Sequence, residues 1–525
     1  LQPDLGRAQI TLGFAALTEF RNDEAKNAFQ LAIEDDASDP LPHLGLGLAM
    51  ISSGDLEKGG GEIELAVALD SNDSLYRSYL GKTYFEQKRA PLDTEQFAIA
   101  KELDPNDPTP YLYDAIAKQT ENRPVEALDD MRRSIELNDN RAVYRGRLLL
   151  DKDRAARGTS LARIYDDLGF RQLGIVEATE SLTIDPANYS AHRFLSDTYQ
   201  TGNRTEIARV SELFQAQMLQ DINLNPVQPS ISSTNLNIVT MGGPASAGFN
   251  EFTPLFERNQ TKFDVTAGIG NNDTRTGEAV VSGLYDRLSL SAGGYYYDTD
   301  GFRDNNDLKH EIYNLYGQVA ITPAVNLQVE LGKRNTDRGD LAMKFDPDDY
   351  DPTFRRSLDA KSARIGARFS PTPSSDVLLS VISTDRDIDG TQKAFLFNFP
   401  GVGDYYLNAD TESKDDTKQY DAQYIFTAND YNIVTGGSYA DADRTDKLKL
   451  TVETPFGDDP PQNIKFDQDT KDGRLYGYAN IGMPAGFDWT VGASYTSFEL
   501  GDAFDFNETS PKLGLRWSIV DALQL

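Results

Sequence analysis

Two hydrophobic periods divide this chain near residue 220. Before it, apolar and small residues recur with helical spacing and the whole pattern repeats every 34 positions. Leu12-Gly13 is followed by Leu46-Gly47 and then by Leu80-Gly81, with Tyr84 three residues on. A second set keeps the same register: Ala25, Phe29 and Ala32; Gly59, Ile63 and Ala66; Phe97 and Ala100; Ala127, Met131 and Ser134. Units close on Asp70-Ser71, Asp104-Pro105 and Asn138-Asp139. Proline stops a helix and Asp or Asn caps the next, so each unit reads as helix-turn-helix.

After residue 260 the period changes to two. Val325, Leu327, Val329 and Leu331 alternate with Asn326, Gln328 and Glu330. Ala363, Ile365, Ala367 and Phe369 alternate with Arg364, Gly366 and Arg368; Leu513, Leu515, Trp517 and Ile519 alternate with Gly514, Arg516 and Ser518. These stretches predict two-faced strands. About twelve are expected, near ten residues each, with Tyr, Phe and Trp at their ends. Short turns fall at Asp286-Arg287, Pro323-Ala324, Pro371–Ser375, Asn429-Asp430 and Pro484–Gly486. Long loops are expected at 300–309, 337–359, 387–415, 442–472 and 501–509. Between the two regions, Pro226, Pro229, Gly242, Gly243 and Pro244 interrupt any period. The aromatic run Phe249–Phe256 is expected at a membrane interface.

The helical pattern resembles the tetratricopeptide repeat family, through its small-large-small spacing and the closing Leu103-Asp104-Pro105. Four units run without slippage. A fifth (Leu161, Tyr165, Gly169, Ala178, Ser181, Ile184-Asp185-Pro186) and a sixth (His192, Leu195, Tyr199, Ala208) follow an Arg-rich insertion near 141–157. That insertion is either a docking face or a longer solvated helix. Asp114 stands where the family has Leu, and Gly59 where it has Ala. The resemblance implies a superhelix whose groove holds a periplasmic protein or peptide. The partner groove falls to Leu44, Leu48, Lys82, Phe85, Leu112 and Ile116, of which the apolar members are equally placed to bury between helices.

The strand region resembles the barrel of TonB-dependent receptors, but no plug domain precedes it. The order of domains resembles that of exporters in which tetratricopeptide repeats precede an outer-membrane barrel. The expected fold is therefore multidomain: an all-α repeat superhelix (1–220), a linker (221–260) and an antiparallel transmembrane β-barrel (261–525). The first strand starts on the short-turn side, which in such barrels is periplasmic, so the repeats belong in the periplasm of a Gram-negative cell. Polar residues of the alternating strands, Glu330, Arg364, Arg368 and Arg516, would line the lumen. Leu1 lies inside a helical pattern and a further strand begins at Leu523, so both ends read as cut from a longer protein. A free strand edge in lipid is costly.

Composition narrows the chemistry. The 525 residues carry a net charge of −32, which repels nucleic acid. There is no cysteine, so neither disulfide nor thiolate metal site exists. Mean hydropathy is −0.51, against any bundle of membrane helices, while a barrel needs only every second strand residue apolar. Three histidines, His43, His192 and His310, lie far apart, and no catalytic or cofactor motif appears, so no enzyme and no cofactor are expected. One metal candidate remains. Asp385, Asp387 and Asp389, followed by Gly390, have the D-x-D-x-D-G spacing that wraps oxygens around Ca²⁺, although Leu396 replaces the usual bidentate Glu. The leading function is transport or export across the outer membrane, with uptake in the manner of TonB-dependent receptors, or plain surface anchoring, as alternatives.

Overall fold

The computed structural model describes residues 6–138, 154–199, 206–224, 226, 256–342, 349–428, 431–484, 487–501, 503–520 and 523–524. They form two units. The first holds the helices and the segment around residues 256–261; the second holds most of a large sheet.

Twelve helices pair into six hairpins among the described residues. They are α1 (Gly6–Thr18) with α2 (Asn22–Asp35), α3 (Pro40–Ser52) with α4 (Leu56–Leu69), α5 (Ser74–Glu86) with α6 (Leu92–Leu103), α7 (Pro108–Thr120) with α8 (Pro124–Glu136), α9 (Arg154–Asp167) with α10 (Arg171–Ile184), and α11 (Tyr189–Tyr199) with α12 (Glu206–Leu219). The boundaries repeat as the sequence does. Asp39, Asp73 and Asp107 cap α3, α5 and α7, accepting from the backbone N–H of Leu41 (3.0 Å), Leu75 (2.7 Å) and Thr109 (2.8 Å). Each cap satisfies a donor the helix cannot, worth about 1 kcal/mol. The first helix of each of the first four hairpins is followed by one left-handed residue: Phe20 (φ 57°), Gly54 (φ 100°), Lys88 (φ 56°) and Asn122 (φ 60°).

One core of buried side chains runs from Ile10 through Phe29, Ile63, Phe97 and Met131 to Ile164. A smaller one gathers Ala162, Ala178, Phe194 and Leu195. The two departures from the repeat pattern have local causes. Gly59 sits where α3 and α4 touch, and a Cβ there would lie 2.5 Å from the Gly47 carbonyl oxygen. Asp114 is buried beside two lysines. Lys101 and Lys118 each bridge Asp114 and Asp130, the Lys118–Asp114 contact being 2.9 Å and the Lys101–Asp130 contact 2.6 Å. Four side chains thus replace one apolar contact with a closed charge network.

Of the Arg-rich insertion, Arg141, Arg145 and Arg147 lie outside the described residues, as do Pro229, Gly242, Gly243 and Pro244 of the linker. Arg157 is neither solvated nor available for docking. It is 1% exposed, and its guanidinium donates to Ser134 Oγ at 3.1 Å and to Asn138, tying α9 back to the end of α8.

The sheet is a meander. Its long strands are β1 (Gln260–Ile269), β2 (Arg275–Tyr285), β3 (Leu288–Thr299), β4 (Leu308–Thr322), β5 (Val325–Arg338), β6 (Arg355–Thr372), β7 (Ser375–Phe399), β8 (Gly403–Thr427), β9 (Tyr431–Thr454), β11 (Gln462–Met483), β12 (Phe487–Leu500) and β13 (Phe504–Val520); β10 (Gly457–Asp458) and β14 (Leu523–Gln524) are two-residue pieces. Neighbours in sequence are neighbours in the sheet, apart from β10, which lies to the side of β9. From β4 to β14 the neighbouring strands pair antiparallel. Among the described residues the sheet does not close on itself.

Two expectations need correction here. Strands near ten residues describe β1 to β3, but β7 and β8 have 25 residues each, β9 has 24 and β11 has 22. The expected loops 387–415 and 442–472 are mostly strand, paired residue by residue as far as Phe399↔Gly403 and Leu450↔Gln462. These two connections are tall hairpins, not irregular loops. Asn429, Asp430, Ala485 and Gly486 of the expected short turns lie outside the described residues; the turns at Asp286-Arg287, Pro323-Ala324 and Pro371–Ser375 lie at one end of the sheet, as the alternation predicts.

Candidate functional site

The faces of the sheet are inverted relative to a soluble protein. In β5, Asn326, Gln328 and Glu330 are buried, while Leu327, Val329 and Leu331 are exposed; Gln328 is 1% exposed and Val329 47%. In β4, His310, Asn314 and Gln318 are buried on one face together with Leu308, Ile312 and Tyr316, and Tyr313 and Leu315 are exposed on the other. In β6, Arg364 is buried and Ile365 exposed. The register carries one phase across the sheet, because opposite residues share a face. Glu330 faces Arg364, which faces Ile382, then Gln419, Ala440, Asp472 and Phe498.

The four residues expected to line a lumen therefore share one face. Arg364 Nε lies 3.3 Å from Glu330 Oε2, and its Nη1 donates to Gln328 at 3.3 Å. Asn314 Nδ2 donates to Glu330 Oε1 at 2.9 Å. Arg516 donates to Asp488 through Nε (3.1 Å) and Nη2 (2.7 Å). Arg368 is half-buried, opposite Asn326 and Leu378. Sequence reasoning missed Asn314, Gln328, Arg386, Asp415 and Asp488 on this face. Continuing the same parity through each strand would have found them. Arg386 Nε donates to buried Asp415 at 2.8 Å, and Arg444 lies 3.6 Å from the same carboxylate.

The opposite face carries aliphatic residues between rings. At the short-turn end stand Phe369, Phe426, Tyr431, Phe487 and Trp517, with Phe487 and Trp517 stacked at 5.1 Å. Further along come Tyr420, Tyr439 and Tyr495. Tyr431 and Tyr439 are separated by about 27 Å of strand, near the thickness of hydrocarbon a barrel must cover. A cavity of about 650 Å³ dents this face, lined by Ile365, Leu379, Val381, Tyr420 and Leu475. Beyond the tyrosines the same face turns polar. It bears Asp385, Asp387 and Asp389 on β7, Glu412 and Lys414 on β8, and Lys447 and Lys449 on β9, with Lys447–Glu412 at 3.1 Å and Lys449–Asp410 at 3.3 Å.

This overturns the Ca²⁺ loop geometry. Asp385, Asp387 and Asp389 lie within β7, paired with Asp416, Lys414 and Glu412. Alternate residues of a strand are about 7 Å apart, whereas Ca²⁺ needs oxygens converging at about 2.3–2.6 Å. Lys414 Nζ also stands 3.8 Å from Asp387. Among the described residues, no group of three or more His, Asp or Glu is placed to hold a metal. The aromatic residues beyond them form a hairpin tip, where Phe397 stacks on Tyr405 at 4.7 Å and Phe395 meets Tyr406 edge-on at 5.7 Å.

In the helical unit, Leu44, Leu48, Leu112 and Ile116 are all core residues, and Phe85 is packed against that core. Lys82 is fully buried, with Nζ 2.7 Å from Glu86 and 4.4 Å from the centre of the Phe85 ring. Of the six, Lys82 also meets an extended segment, together with Tyr79, Tyr113 and Glu86. Phe256, 3% exposed, stacks on Tyr79 (6.1 Å between centroids, 17° between planes) and meets Tyr113 edge-on at 6.2 Å. Lys82 Nζ lies 5.8 Å from the Phe256 ring centre. Arg258 Nη1 reaches Glu86 at 2.7 Å, and Asn259 N–H donates to Ser52 O at 2.9 Å. Phe256 is thus part of the helical core and not an interface residue of a membrane. Lys82 and Arg258 together outweigh burial and hold the Glu86 carboxyl below its usual range. Glu257 has the opposite environment. Burial pushes its carboxyl up to about 7, although the Leu224 N–H donates to it at 3.3 Å.

No protein-family model matches this chain, and no curated protein matches it. Solved structures do. The Cut9–Hcn1 hetero-tetramer of APC/C is similar at 14% identity, covering 42% of this chain and 41% of that one, with a TM-score of 0.37. A thermophilic tetratricopeptide protein of Thermus thermophilus is similar at 16% identity over 37% of this chain and 98% of its own, with a TM-score of 0.31. The ferric citrate transporter FecA in its unliganded form is similar at 11% identity over 50% of this chain and 42% of its own, with a TM-score of 0.37. The chain spans about two fifths of the length of the Cut9–Hcn1 and FecA chains it matches. These likenesses are of fold alone.

Proposed function

We propose that the sheet is the wall of an outer-membrane β-barrel and that the helical repeats are a periplasmic scaffold that gathers a protein partner for transport or export. The observation that carries this is the inverted burial. Water would not hold Val329, Leu331 and Ile365 outward while Gln328, Glu330 and Arg364 are buried. Apolar surface is driven out of water at about 25 cal/mol per Å², and buried ion pairs recover little of that. A hydrocarbon solvent reverses the preference: apolar side chains meet lipid and polar ones pair inside. The ring positions flanking the aliphatic stretch, and the switch to charge beyond Tyr420 and Tyr439, support the same boundary. The chain enters β1 at the end of the sheet where the short turns lie, the periplasmic end of such barrels, which supports a periplasmic role for the preceding helices.

The test is fractionation of the natural full-length chain expressed in a Gram-negative host. It is expected to sediment with outer membrane and to need detergent for release. Recovery as a monodisperse species in detergent-free buffer overturns the proposal. Transport is separated from its alternatives by planar-bilayer recording. A conducting pore supports export or uptake, and a silent but membrane-integrated protein supports a surface anchor.

A further inference from the structure

Phe256, Glu257 and Arg258 belong to the helical unit and not to the sheet, although β1 begins only two residues later at Gln260. They lie on the first helices of the second, third and fourth hairpins as a bound peptide would. One tyrosine stacks on the ring and a second meets it edge-on, a buried lysine sits beside it, a carboxylate takes the arginine, and a main-chain N–H is received by the end of α3. The spacing sets a recognition rule. The pocket at Tyr79 and Tyr113 takes an aromatic residue, and Glu86 takes a cation two positions later. Each part is specific for its chemistry. Offset and edge-on ring pairs are each worth about 0.5–1.5 kcal/mol beyond area, and a charge-assisted bond from arginine adds geometry as well as energy.

We infer that this face of α5 and α7 is a recognition pocket for peptides of the pattern aromatic-x-Arg, and that the chain's own Phe256-Glu257-Arg258 is its resident, autoinhibitory occupant. A partner segment must displace it to dock. The inference rests on the proposed role of the repeats as a scaffold, but not on the membrane assignment. A tethered occupant acts at an effective concentration on the order of millimolar. A segment with an intrinsic dissociation constant of about 10 μM would therefore weaken a free competitor of the same sequence about 100-fold.

The test uses the full chain in detergent and a fluorescent peptide copying residues 253–261, Thr-Pro-Leu-Phe-Glu-Arg-Asn-Gln-Thr. Anisotropy titrations compare the natural chain with Phe256→Ala and with Arg258→Glu. The second variant leaves the apolar core intact and sets a carboxylate against Glu86. Both variants are expected to bind the peptide at least about ten-fold more tightly than the natural chain. Peptides with Ala in place of Phe or Arg are expected to lose that gain. Equal affinity for the natural chain and both variants, no binding to either variant, or indifference to the two peptide substitutions overturns the inference. Each of these results leaves the fractionation outcome untouched, so the latch and the membrane wall fail separately.

Discussion

At the scale of residues, the informative positions are those where this chain breaks its own pattern. Asp114 replaces an apolar family residue and anchors Lys101 and Lys118 together with Asp130. Asp114→Leu restores the family residue yet leaves two half-buried lysines sharing one carboxylate. It should destabilise the helical unit by about 1–3 kcal/mol, read from helix loss on thermal unfolding. Glu257 provides a pH prediction. Its carboxyl, near Glu86, Arg258, Lys82 and Tyr189, titrates at about 7 when docked, against 4.5 when free. The docked state holds the proton more tightly, so docking is favoured fully below about pH 4.5 and loses that contribution as pH rises through 7. A competing peptide with Gln in place of its own Glu does not titrate there. It should therefore bind the natural chain more tightly at pH 8 than at pH 5, and Glu257→Gln in the chain should flatten the difference. His192 tilts the same way. Burial opposes its charge, but Glu212, 2.5 Å away, and the Pro186 carbonyl raise its pKa above the usual value, so its stabilisation is also lost on the alkaline side. The groove candidates were legible only as a helix face. Leu44, Leu48, Leu112 and Ile116 are core, and the ring-binding residues Tyr79 and Tyr113 carry the same signature as any packed aromatic. Nothing in their spacing distinguishes a ring that meets another helix from a ring that meets residue 256.

At the scale of elements, the helix hairpins were legible because caps, left-handed turns and core positions all share the 34-residue period. The strands were legible where one face is apolar and exposed and the other polar and buried. Past Tyr420 and Tyr439 the face that carries those rings turns charged on β7, β8 and β9, and apolar residues such as Leu448, Leu450 and Val452 fall on the other face, so the alternation changes phase although the backbone ladder continues. Hydrogen bonds between neighbouring strands, and cross-strand pairs such as Lys447–Glu412, hold these hairpins. Read as sequence, such stretches look like loops, and the D-x-D-x-D-G spacing looks like a metal site. The absence of cysteine makes the distinction measurable. Asp387→Cys should react on intact cells with a membrane-impermeant maleimide, and Ala324→Cys, at a short turn, should react only after the outer membrane is opened. Val329→Arg, on the apolar face, should cost about 2–4 kcal/mol, read as a lowered urea midpoint in detergent or bilayers, whereas Gln328→Glu on the opposite face should alter ion selectivity before stability.

At the scale of the whole molecule, one chain carries two solvents' worth of patterning. The helical unit buries its apolar residues in one main core, and the sheet turns them outward. Among the described residues the sheet has an open order from β1 to β14, and β1 starts at the end where the short turns lie. Neither unit carries a signature of what it would bind, because a face with paired charges such as Arg364–Glu330 and Arg516–Asp488 fixes polarity but not identity. The central claim, that lipid covers the apolar face, is tested most directly by spin labels at single cysteines placed in turn at residues 325–331 in membranes. The account predicts oxygen accessibility that alternates with period two and peaks at 325, 327, 329 and 331. A flat profile, or one that peaks at 326, 328 and 330, contradicts it.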